Sequence, residues 1–309
     1  IAIVRDLNLP KPEYTREWRL AVHGVADAIL EWVTSERGAS QTRIAYARQA
    51  LVRIVDVDGY EEVTLPAIGT GDAMSPSWHP QGNLIAYSTI GPGSRIMIHD
   101  LRTGKTRDYG SQRNTSRLTP VFTPDGKSFV YALSTETGTD LYMLPIEGDA
   151  FPRRVTAGRG WNNTSPTFSP EGARMAMASD RTGHPEVHIQ DADGTNNDIF
   201  TAFDFGDQND RTNPDWSPDG RQIAFQSRID GRYQIFTMSL RDRQPRQLTS
   251  EGENEDPSWA PDGRHLVFVS TRTGVRQLWI LDTESGRLRQ LTRAGGAKVP
   301  AWSPRLVVK

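Results

Sequence analysis

Pro214-Asp215-Trp216-Ser217-Pro218-Asp219-Gly220 decides the fold, because its Pro-x-aromatic-x-Pro-acid-Gly pattern returns along the chain. Upstream it reads Pro76-Ser77-Trp78-His79-Pro80-Gln81-Gly82, Pro120-Val121-Phe122-Thr123-Pro124-Asp125-Gly126 and Pro166-Thr167-Phe168-Ser169-Pro170-Glu171-Gly172. Downstream it reads Pro257-Ser258-Trp259-Ala260-Pro261-Asp262-Gly263 and, cut short, Pro300-Ala301-Trp302-Ser303-Pro304. From Pro80 to Pro304 the second prolines step by 44, 46, 48, 43 and 43 residues. That period is one four-stranded blade, so six copies predict an all-β, six-bladed propeller.

Each part of the motif has a mechanical reading. Pro-Asp-Gly presets φ and then supplies a residue tolerant of positive φ, which is turn chemistry. The aromatic residue, flanked by small or polar neighbours, points inward to pack between blades. Second strands follow, as in Leu84-Ile85-Ala86-Tyr87 and Ile223-Ala224-Phe225; Gln277-Leu278-Trp279-Ile280-Leu281 reads as a third and Arg246-Gln247-Leu248-Thr249 as a fourth.

The sixth copy has no room for three more strands before Lys309. Thr42–Ala47, Leu51–Val55 with the Asp58-Gly59 turn, and Glu62–Leu65 supply them, so the last strand is expected to complete the first blade. Closure of this kind removes naked sheet edges. The propeller is thus assigned to residues 42–309. Ahead of it, Trp18, Val22, Val25, Ile29 and Val33 recur at helical spacing over about residues 15–35, with Gly38 as the stop, and this apolar face is expected to cover the propeller flank or another domain.

Composition narrows the function classes. The 36 basic and 38 acidic residues nearly cancel, which argues against a nucleic-acid binder. With no cysteine there are no disulfides, thiolate chemistry or zinc–cysteine sites. No apolar run is long enough to span a bilayer. The first residue is Ile1, so a processed or partial chain is expected.

Catalytic motifs are scarce. No Gly-x-Ser-x-Gly elbow occurs, and Gly126-Lys127-Ser128 lacks the earlier glycine of a phosphate-binding loop. His184 and His188 would lie about 13 Å apart along a strand, too far to share one metal. Asp56-Val57-Asp58-Gly59 and Asp191-Ala192-Asp193-Gly194 read as hairpin turns rather than calcium loops.

The loops linking one blade to the next should ring one mouth of the channel. Ala202–Asn213 (Asp204, Asp207, Asp210, Arg211) and Ser250–Asp256 (Glu251, Glu253, Glu255, Asp256) together carry a charge of -6. The loops with Arg113 and Arg117, with Arg159 beside Asn162, Asn163 and Thr164, and with Arg293 and Lys298 carry +5. A mouth split by charge would orient a charged partner. Clustered acids also nominate a Ca²⁺ near Asp207, Asp210, Glu255 and Asp256; otherwise no cofactor is expected.

From about Trp18 to Leu306 the chain resembles the TolB family of periplasmic propellers. The resemblance rests on Trp18, His23, Gly24, Ala26-Asp27 and Ile29 leading into Thr42-Arg43-Ile44-Ala45-Tyr46, on Asn162-Asn163-Thr164-Ser165-Pro166, and on Val299-Pro300-Ala301-Trp302-Ser303-Pro304. It implies a monomeric, non-enzymatic scaffold of the Tol–Pal system, which binds the lipoprotein Pal at the channel mouth and supports outer-membrane integrity and division. It also implies partner-facing residues Ser116, Arg117, Asn162, Asn163, Thr164, Ser165, Asp210, Arg211, Glu255, Asp256 and Lys298. Two departures follow. Residues 1–41 match only the end of the family's amino-terminal α/β domain, which puts the TolA contact in doubt. Ser165 stands where relatives often carry an acid. The alternatives are the non-catalytic propeller of a serine peptidase, or a lyase or hydrolase working in the channel.

Overall fold

Proline has no N–H to give to a sheet ladder, so a strand containing one must bulge or lie at an edge. All six motif copies solve this identically. In the computed structural model, which describes residues 15–306 apart from 69–70, 92, 111–113, 149, 157, 159 and 202–208, each first proline lies on the innermost strand of a blade. The register slips there, for example between Thr212 and Asp215. The residue before each proline takes positive φ: Ser75 50°, Thr119 45°, Ser165 50°, Asn213 51°, Asp256 55° and Val299 46°. For branched Thr119 and Val299 this backbone is strained.

Six four-stranded antiparallel sheets result, built from inner to outer strand. We number them from the amino terminus. Blade 1 holds Arg43–Arg48, Leu51–Asp56 and Val63–Thr64, and takes its inner strand, Lys298–Trp302, from the far end of the chain. Ile44 faces Trp302 and Ala45 faces Ala301 across the seam. Arg43 N–H donates to Ser303 Oγ at 2.9 Å, and Ser303 N–H to Arg43 O at 2.8 Å. The ring closes as expected. Blades 2 to 6 begin with inner strands Asp72–Trp78, Ser116–Phe122, Asn163–Phe168, Arg211–Trp216 and Asn254–Trp259.

Among the described residues there is no single core; each apolar cluster lies between two neighbouring blades. Ile44, Val55 and Trp302 of blade 1 pack with Val267, Leu278 and Ile280 of blade 6, for instance. The motif aromatics fill these seams and are at most 8% exposed. Their indoles tie blades together: Trp78 Nε1 donates to Ala301 O at 3.0 Å, and Trp259 Nε1 to Asp215 O at 3.1 Å. The motif turns close as read, with Gly220 N–H bonded to Ser217 O at 2.9 Å and φ 73° at the glycine. Outer strands add arginine clasps onto the next blade: Arg107 donates to Ile146 O, Arg246 to Thr283 O and Arg289 to Val57 O.

The helix spans Arg16–Thr34 and ends at Ser35, whose left-handed φ of 63° forms the cap, so the stop lies before Gly38. Thr15 caps its start by accepting from Trp18 N–H. Buried Asp27 accepts from Ser40 and Gln41 N–H at 2.8 and 2.9 Å, and Arg19 pairs with Asp58 of blade 1. The expected apolar face is covered only in part. Val22 and Val25 are half-buried, whereas Ile29 and Val33 are 46% and 74% exposed. Among the described residues no helix is long and apolar enough to cross a membrane.

Candidate functional site: the channel and its mouth

The bulges and aromatics converge on the ring axis, where they line a channel of about 470 Å³. Among the lining residues described, only Asp215 and Asp256 carry charge. A belt of contacts joins the residues that precede the prolines. Ser165 N–H donates to Thr119 Oγ1 at 3.3 Å, Ser165 Oγ to Asn213 Oδ1 at 2.9 Å, and Asn213 Nδ2 to Asp256. Val299 N–H completes this arc at 3.2 Å from Asp256 Oδ2.

A second belt uses the residue between proline and aromatic. Thr167 accepts from Trp216 N–H at 3.3 Å, Asp215 from Trp259 N–H at 2.6 Å, and Ser258 from Trp302 N–H at 3.1 Å. Blades 1 and 3 hold Ala301 and Val121 in that place, which cannot accept. Burial at the ring centre pushes the Asp215 carboxyl up to about 6, against the bonds from Trp259, Thr167 and Ser258. Burial also raises Asp256, which receives Asn213 and Val299. Glu255 is raised by burial and by its neighbour Asp256, although Arg276 Nη1 sits 2.6 Å away.

The rim residues named from sequence divide into several kinds. Lys298 and Asn162 are exposed at the mouth; Asn162 is braced by two bonds of 2.7 Å to Asp180. Ser116 and Thr164 are half-buried on inner strands, and Ser165 and Asp256 belong to the channel belt. Asp210 lies 3.8 Å from Arg228. Asn163 is 1% exposed, donating to Thr139 O and accepting from Ser179 and Arg181.

Arg117 and Arg211 correct the picture of a charge-split rim, because both are buried instead of facing solvent. Arg117 donates to Tyr109 O and lies over the Tyr131 ring, 5.4 Å from its centroid. Arg211, 2% exposed, places Nη1 2.5 Å from Glu186 Oε1. Thr201 donates to the same carboxylate. Asp204, Asp207, Arg113 and Arg159 lie outside the described residues, which leaves exposed Arg293 and Lys298 as the described basic sector. No three His, Cys, Asp or Glu side chains among the described residues are grouped to hold a metal.

Sequence reasoning missed Asp215, Thr167 and Ser258, although aligning the copies exposes them as the variable position inside the motif. It also missed Glu186. Its counterparts in the next blades, Gln234 and Gln277, accept from Thr249 at 2.9 Å and Thr292 at 2.8 Å. Where Glu186 meets Arg211, Gln234 meets Asn254 at 2.8 Å.

A family model described as the TolB beta propeller domain matches residues 30–306. The Tol-Pal system protein TolB of Bordetella pertussis is 29% identical over 185 residues, 58% of this chain and 41% of that protein, so the match spans less than half of that relative. Among solved structures, TolB from Acinetobacter baumannii superposes with a TM-score of 0.82 at 25% identity, over 96% of this chain and 74% of that one. A putative TolB from Agrobacterium tumefaciens shares the fold at a TM-score of 0.65 and 20% identity, over 85% and 92% of the two chains.

Proposed function

The chain belongs to the TolB β-propeller family, and from that premise we propose that it is a periplasmic, non-catalytic scaffold of a Tol–Pal system. It receives the lipoprotein Pal at the linking-loop mouth and so supports outer-membrane integrity and cell division. Residues 1–41 are read as the end of an α/β domain.

One observation carries this reading: the linked belt of Thr119, Ser165, Asn213, Asp256 and Val299 that lines the channel, with strained backbone at Thr119 and Val299. Strained backbone of this kind is found where a structure is pre-organised to receive a partner. Ser165 within the belt, and Asn162 and Lys298 beside it, are the residues we expect Pal to touch. Titrating the purified chain with its cognate Pal by calorimetry is expected to give saturable binding, weakened in Lys298→Glu. No heat up to millimolar Pal would overturn the proposal.

One observation favours a second reading, an enzyme working in the channel. Asp215, with its raised pKa, has the character of a general acid or base. Turnover of an acidic oligosaccharide by the native chain, lost in Asp215→Asn, would select that reading over the first.

A further inference from the structure

We propose that a groove between the carboxyl-terminal end of the helix and blade 6 binds a small amphipathic carboxylate, an apolar body ending in one negative charge. The groove measures about 480 Å³, within the range of small-molecule sites. Its walls come from turns after inner and third strands (Asp262, Asp282–Leu288 and Val57), so it opens on the face opposite the linking-loop mouth. This site is independent of the function proposed above.

The floor is apolar, formed by Leu30, Val57, Ile280, Leu288 and Trp302. Two acids and two arginines line the groove with His265, and they are not equivalent. Both acids are already engaged. Asp262 accepts from His265 Nδ1 at 2.7 Å and from Arg264 N–H at 2.9 Å. Asp282 is held by Arg264 through Nε at 2.9 Å and Nη2 at 2.7 Å. These bonds keep both carboxyls below their ordinary range.

The arginines have no such partner. Among the described residues no carboxylate lies within ion-pair distance of Arg287 or Arg289. Arg289 donates instead to a carbonyl, Val57 O, at 2.7 Å, and burial lowers its pKa. The carboxylate acting on it, Asp58, is paired with Arg19. With Nδ1 turned to Asp262, Nε2 is the His265 ring nitrogen left to the groove. An apolar floor beneath two uncompensated guanidinium groups attracts an anion with an apolar tail and repels the matching cation.

Titration with laurate below its micelle concentration, read by calorimetry and tryptophan fluorescence, tests this directly. Dodecyltrimethylammonium, with the same tail and the opposite charge, serves as the control. Laurate is expected to saturate one site per chain while the cation does not. Arg287→Glu is expected to weaken laurate at least about tenfold, the loss of one charge-assisted hydrogen bond, without moving Tm. Leu288→Asp, which puts a carboxylate on the floor, should weaken it as well. Equal binding of the two amphiphiles, or laurate binding unchanged in Arg287→Glu, would overturn the proposal. Either result would assign the signal to adsorption on the exposed helix residues Ile29, Trp32 and Val33.

Discussion

Blades 4 and 5 and blades 5 and 6 are fastened by the same three positions, once with ions and once with amides. Between blades 4 and 5, Glu186 receives Thr201 from its own blade and Arg211 from the next. Between blades 5 and 6, Gln234 receives Thr249 and Asn254 in the same places. An amide pair forms its bonds with little desolvation cost. A buried ion pair gains more attraction but first loses more hydration, and the two terms largely cancel. The charged latch is therefore no stronger than the neutral one; it is less forgiving of losing one partner.

Breaking the charged latch should have the largest effect. Arg211→Leu takes the guanidinium from buried Glu186, leaving only the His184 imidazole 3.3 Å away, and is expected to cost about 3–5 kcal/mol in urea unfolding. Asn254→Ala in the neutral latch frees Gln234 Oε1 and the Arg272 Nη2 that Asn254 accepts from at 3.1 Å but leaves no buried carboxylate uncompensated, for about 1–3 kcal/mol. If the two cost the same, the distinction between the latches fails.

Asp215 sharpens the comparison, being a half-buried carboxylate at the ring centre, bonded by hydroxyls and an amide N–H but, among the described residues, by no cation. Its pKa is raised in the folded state, so its stabilising contribution is fully present below the ordinary carboxylate pKa and lost as pH rises through about 6. Wild type should gain stability relative to Asp215→Asn as pH falls from 7 to 5, followed by Tm. An opposite slope would mean that the bonds outweigh burial. The smallest change should come from Glu186→Gln with Arg211→Asn, which rewrites the ionic latch as its neutral neighbour. That double variant is expected within about 1 kcal/mol of wild type, with a strong favourable coupling between the two sites. A double variant as unstable as Arg211→Leu would show that the blades do not share one design.

The ring was legible because its signal repeats. Pro-x-aromatic-x-Pro marks an inner strand wherever it occurs, and a missing last blade points to residues 42–65. The rim was less legible, since a side chain's role there depends on partners from another repeat. Arg117 and Arg211 read as loop charges, yet each lies on an inner strand, and their partners Tyr109 and Glu186 belong to the preceding blades. Counting charge along the chain cannot see that Glu186 takes up Arg211. Comparing copies can, because acid and arginine replace Gln234 and Asn254 together. The helix shows the same limit at smaller scale: its periodic apolar residues predicted one buried face, but packing covers only the amino-terminal half.

The seam in blade 1 also sets a timetable. Within the ring Arg43–Arg48 is the first strand to be synthesised, and its partner Lys298–Trp302 is the last. Throughout synthesis the older strand presents an unpaired edge, and contacts of such sequence separation form slowly. A circular permutant opened at the linker between blades 1 and 2, with the old ends joined, would make that strand and its partner consecutively and should refold faster with less aggregation.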